Sequence, residues 1–136
     1  MTLTIWVDDW QMQCCGGNFA VGDVVSWTLL EADPEDYADI IGEKRAEGIG
    51  FREEHHGRAG ECAATSVEVL SIDEVHCRYE IPAGATDRMN LPVRDTAVLV
   101  SVGRADGWAR SRPDVAFRGY LVTARRVTGL PEGAVA

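Results

Sequence analysis

No run of 18 apolar residues occurs anywhere in the 136-residue sequence, so no membrane-spanning helix is expected. Lysine is almost missing. Lys44 stands alone against twelve arginines, a bias that points to a GC-rich genome and carries no mechanism. Positive charge is scarce overall, with 13 basic against 22 acidic residues and a net charge of −9. A nucleic-acid partner is therefore not expected, because such proteins replace the counterions around phosphate. The start, Met-Thr-Leu-Thr-Ile-Trp-Val-Asp-Asp, lacks a basic n-region and a long apolar core, so no secretory signal and a cytoplasmic location are expected. In a reducing compartment all four cysteines are expected to be free. Repeats and low-complexity linkers are absent. The sequence also holds no Cys-x-x-Cys, no His-Glu-x-x-His, no phosphate-binding glycine loop and no serine nucleophile elbow.

What is present fits one globular domain over residues 1–136, with a tail from about residue 129 expected to fray. Hydrophobic residues make up 46%, enough for a core without disulfide or metal staples. Thr2 to Asp8 alternates and predicts a strand with Leu3, Ile5 and Val7 on one face. Val25, Trp27 and Leu29 alternate with polar neighbours and predict a second strand. Asp33-Pro34-Glu35-Asp36 is a helix start, and Tyr37, Ile40 and Ile41 form its apolar face. Gly42 ends that helix, or it runs to Glu47 with Gly48 at its C-terminus. Ala64–Asp73 and Val75–Ile81 read as a hairpin turning at Asp73-Glu74, with a bulge where the apolar phase slips between Val69 and Leu70. Thr96 to Val102 is apolar on both faces, the pattern of a central strand, and Phe117 to Val127 is a last strand. One helix cannot supply the crossovers of a parallel sheet. The expected fold is mainly β: a small antiparallel barrel or sandwich of six to seven strands with one short helix, α+β being the nearest competitor.

Soft-ligand chemistry is confined to Cys14, Cys15, His55, His56, Cys62, His76 and Cys77. Zinc takes four Cys or His ligands, commonly as close pairs from turns. Here the pairs are adjacent, and adjacent strand residues face opposite ways. A site drawing one residue from each cluster, Cys14 or Cys15 with His55 or His56 and Cys62, is the metal alternative. A thiolate of Cys14 or Cys15 activated by His55 or His56 is the nucleophilic one. The plainer reading makes Cys14-Cys15-Gly16-Gly17 a turn, Cys77 core filling, His76 a solvated surface residue, and Asp8-Asp9 a turn after the first strand.

Charge is split along the chain. Residues 1–75 carry 16 acidic and 4 basic residues, and residues 76–136 carry 6 acidic and 9 basic, all arginine. The simple expectation is pairing of the two halves across one domain. The sharper one is an anion or partner surface at Arg125 and Arg126, since guanidinium matches carboxylate and phosphate. Trp10 and Trp108, if exposed, mark a ligand or partner surface as well.

Ile5-Trp6-Val7-Asp8-Asp9-Trp10-Gln11-Met12-Gln13-Cys14-Cys15-Gly16 with Phe19-x-Val21-Gly22-x-x-Val25-x-Trp27 resembles a family of small actinobacterial proteins of unknown function. Glu54-His55-His56-Gly57 and Val75-His76-Cys77-Arg78-Tyr79 resemble its later motifs, so the likeness spans about residues 3–81. The resemblance implies a cytosolic bacterial protein and no assigned activity. The leading expectation is a non-enzymatic module that binds a partner protein or small ligand. The alternative is a zinc or thiol-dependent site, structural or hydrolytic, built from Cys14, Cys15, His55, His56, Cys62 and Cys77. A third, a subunit of a larger assembly, predicts an exposed apolar strand edge.

Overall fold

The computed structural model describes residues 2–14, 17–54, 64–84 and 86–127. The chain forms β1 (Thr2–Asp8), α1 (Asp9–Cys14), β2 (Phe19–Ala20), β3 (Val24–Trp27), β4 (Leu29–Glu31), α2 (Glu35–Ile41), α3 (Glu43–Glu47) and β5 (Phe51–Glu53). It continues with β6 (Thr65–Cys77), β7 (Tyr79–Glu80), β8 (Leu91–Pro92), β9 (Val98–Val102), β10 (Arg104–Ala105) and β11 (Ala116–Arg126). The protein is mainly β. Its seven-stranded sheet is curled and open, in the order β3-β6-β11-β1-β5-β4, with β9 on β6 beside β3. Every pairing in it is antiparallel except β1 with β5.

Local signals account for much of this. β1 alternates as its sequence requires, and Leu3, Ile5 and Val7 all join one apolar cluster with Val67, Val69, Ile72, Tyr120 and Val122. The opposite face is covered too. Trp6 packs with Tyr37, Ile40 and Ile41 from α2, Ala46 from α3 and Ile49 just beyond it, and with Val75 and Cys77. Asp33 begins α2 by accepting the Glu35 N–H on Oδ1 at 3.0 Å, which satisfies one orphan donor. Gly42 has φ of 89° and ends α2; a separate helix, α3, follows it to Glu47, so the alternative of one helix continuous to Glu47 is not realised.

Four expectations are corrected. First, Asp73-Glu74 is no turn. The backbone there is held on both sides, Asp73 by Leu121 and Ser101, Glu74 by Tyr120 and Val100, so residues 65–77 form one strand. The phase slip is instead a bulge within it: Thr123 pairs with Ser71 and Ala124 with Val69, leaving Leu70 unmatched and exposed. The bulge lets Val67 and Val69 join the same core as Ile72 despite their opposite parity. Second, among the described residues β9 bonds only to β6 and is an edge strand, although it is apolar on both faces. Third, the described residues contain three short helices, not one; α1 runs through Asp9, where a turn was expected. Fourth, His76 is 1% exposed, with its Nε2 3.1 Å from Glu74 Oε1 and its ring against Phe117. Because both faces of the sheet are packed, neither phase of β6 points to water at this end.

Candidate functional site

Two strand ends and one helix bring most of the buried polar groups together. β1 and β5 run parallel with Trp6 beside Arg52, so Asp8-Asp9 and Glu53-Glu54 emerge at the same edge of the sheet. Asp8 accepts from Trp6 Nε1 at 2.8 Å through Oδ1 and from Gln11 Nε2 at 3.2 Å through Oδ2. The same Gln11 amide reaches the Glu53 carbonyl at 3.5 Å. Gln11 is 1% and Glu53 2% exposed, rare burial for these residue types. Burial pushes the Glu53 carboxyl up to about 8, with Glu54 and then Asp8 adding to the shift, so it is mainly protonated at neutral pH. Arg52 Nη1 pairs with Glu54 Oε2 at 2.9 Å. Burial also raises Asp9, against the opposing pull of Arg118, and raises Tyr37 to about 12. The Arg118 guanidinium, placed by the second irregularity of β11, between Phe117 and Gly119, lies 5.5 Å from the centre of the Tyr79 ring.

The outer side of α1 has a different character. A loop carrying Gly107 is fastened across it. Gly107 donates its N–H to the Tyr120 hydroxyl at 3.0 Å and accepts from Gln13 Nε2 at 2.8 Å. Its φ is 89°, and a Cβ there would come 2.9 Å from the Met12 Cβ, so only glycine fits. Trp108 follows at once, its N–H held by Asp106 Oδ1 at 2.9 Å. Trp10 lies three residues before Gln13, one helical turn away on the same side of α1. Trp10 is 50% and Trp108 67% exposed. The fold therefore mounts two large exposed aromatics on adjoining, internally fastened elements.

Cys15, His55, His56 and Cys62 lie outside the described residues, and Cys14 closes α1. Cys77 is fully buried against Trp6 and Val75, and burial raises its thiol. It is expected to resist a thiol reagent in the folded protein and to react once denatured; labelling under native conditions would contradict this. Among the described residues no three His, Cys, Asp or Glu side chains are grouped to hold a metal ion. Arg125 pairs with Glu68 at 2.5 Å, while Arg126 lies over the Phe51 ring. Arg94 pairs with Asp39 at 2.8 Å, so basic residues of the second half do meet acidic residues of the first. An open groove of about 420 Å³ between α2 and α3 is lined by Glu35, Asp39, Glu43, Glu47 and Arg94, away from α1.

Sequence reasoning missed Gln11, Glu53, Tyr79, Arg118 and Gly107. One signal was available for Glu53, which shares the phase of Ile49 and Phe51.

These features define a small, mainly β protein with a part-buried acidic cluster on one side of α1 and two exposed tryptophans on the other. The chain belongs to a family of unknown function, DUF6578, whose model matches residues 1–126, well beyond the stretch carrying the quoted motifs. No curated protein and no solved structure matches it. No helix of the described residues is long and apolar enough to cross a membrane.

Proposed function

We propose that this protein is a non-enzymatic interaction module that grips a partner protein through Trp10 and Trp108. The observation that carries the reading is the pinned Gly107 loop: Trp108 is widely exposed, yet the backbone that presents it is bonded to both α1 and β11. A preorganised tryptophan loses little freedom on binding, and Trp and Arg dominate interface hot spots. Arg104, Arg110 and Arg112 are exposed in the same stretch as Trp108. The complementary partner is a segment with an apolar residue flanked by carboxylates. A cytoplasmic setting is part of the proposal and is supported by the unpaired Cys77.

Selection of random peptides on the immobilised full chain tests this, with Trp108→Ala as the counter-target. Peptides rich in Asp or Glu around an apolar residue are expected. Their affinity should fall about thirty-fold or more, roughly 2 kcal/mol, on Trp108→Ala. Equal binding to both proteins would remove the tryptophan surface from consideration.

A further inference from the structure

Two separate surfaces of this fold carry unpaired charge of opposite sign. The groove between α2 and α3 encloses about 420 Å³, within the size range of ligand pockets. Pro34, Ala38 and Ala46 give it small apolar walls. Carboxylates stand around them, since residues 31–47 hold seven acidic and two basic side chains. Arg94 engages Asp39 at 2.8 Å and Glu43 at 3.8 Å. Glu35 and Glu47 are exposed, line the same groove and form no ion pair among the described residues. The Trp108 loop has the converse composition. Residues 104–112 carry three arginines and one aspartate, and that aspartate, Asp106, accepts the Trp108 N–H. Arg104, Arg110 and Arg112 are exposed and form no ion pair among the described residues. No residue of this loop lines the groove, so the two surfaces are distinct parts of one copy.

We propose that the partner gripped by Trp108 is a second copy of this chain, whose α2–α3 groove receives the indole head to tail. The inference rests on the reading of Trp108 as the gripping residue and names what it grips. Charge selects the occupant. The complement of an exposed tryptophan among arginines is an apolar recess bordered by carboxylates, and the groove is such a recess. Its walls are alanine and proline, so a large ring enters without displacing a bulky side chain. Arg110 and Arg112 follow Trp108 by two and four residues and supply guanidinium groups for the unpaired Glu35 and Glu47. Loop and groove are different patches, so the contact is heterologous, and every copy offers one of each. The uneven charge of the sequence, acidic in the first half and arginine-rich in the second, then serves contacts between copies as well as within one.

Sedimentation velocity on the full chain, up to about 100 μM protein, tests the proposal. Concentration-dependent association is expected, and it should weaken as salt is raised. Trp108→Ala removes the ring, and Glu35→Lys with Glu47→Lys reverses the free charge of the groove. Each variant should raise the dissociation constant about tenfold or more. An equimolar mixture of the two should associate again and stop at a dimer, because one copy keeps its groove and the other its loop. Thermal melts of each variant separate lost association from lost folding, and Glu47→Lys alone replaces the double variant if that one does not fold. A wild type that stays monomeric overturns the proposal. So does association indifferent to the variants, or a mixture that stays monomeric while the wild type associates. A monomeric chain that still selects Trp108-dependent peptides overturns the second copy as partner and leaves the tryptophan surface in place.

Discussion

Glu53→Gln is expected to stabilise the protein at alkaline pH by several kcal/mol, on the order of 4–5, and to leave it nearly unchanged in mild acid. The carboxyl has an ordinary value of 4.5 and stands at about 8 in the fold. Below about 4.5 both folded and unfolded chains hold the proton, and the folded state bears no cost. Between about 4.5 and about 8 the unfolded chain has lost a proton that the native chain retains, so stability falls as pH rises, by up to about 1.4 kcal/mol per unit. Above about 8 both are ionised and the loss is complete, because a carboxylate is then held in a site 2% exposed beside Glu54 and Asp8. Glutamine keeps the shape and never ionises. Denaturant unfolding at about pH 5 and about pH 9 should show the wild type losing stability over that interval and the variant holding most of it. Asp9, also raised, leaves a smaller slope of the same sign. Parallel curves for the two proteins would show that Glu53 ionises without cost.

Gly119→Ala should destabilise the protein by about 3 kcal/mol or more, or prevent folding altogether. Gly119 pairs with Asp8 on one side and Val75 on the other, at the crossing of the three longest strands. A Cβ there would overlap the Val7 carbonyl oxygen and come 3.0 Å from Trp6 Cζ2. The carbonyl is backbone within the sheet, and Trp6 is locked against Tyr37 at a centroid distance of 5.1 Å, so neither can give way cheaply. Gly103→Ala is the matched control, because a Cβ at Gly103 meets nothing within 4 Å. Thermal melts of the two variants should diverge widely. A Gly119→Ala protein melting with the wild type would show that β1 and β11 can part without loss.

The legible parts of this fold are those coded by neighbours in sequence. The alternation of β1, the Asp33 cap, the Gly42 break and the Leu70 phase slip all act within a few residues, and each appears in its expected place. The errors concern position within the sheet. Asp73-Glu74 has the composition of a turn, and β9 that of a central strand, but strand order is decided by pairings with residues far along the chain. A rule that assumes one wet face puts His76 in solvent, and this sheet has none at that point. α1 escaped notice because six residues give too few turns for a periodic signal. Trp10 and Trp108 were visible as large apolar side chains among polar neighbours. Gln11 was not, because its burial depends on reaching the Glu53 carbonyl, 42 positions further along the chain.

The place of β11 has a consequence for how the protein is made. β11 lies between β6 and β1 and bonds to both, with Thr2 facing Arg125 at one extreme of the register. On the ribosome, β1 and β6 both emerge long before the strand that joins them. Until β11 leaves the exit tunnel, each keeps one unsatisfied backbone edge, although β1 can already pair with β5 and β6 with β3 and β9. Translation supplies about 5–20 residues per second, so this exposed interval lasts seconds. Closure of the sheet is then a late, long-range event of the kind that slows β-rich folding. For this chain the two strands that β11 joins are made first and joined last.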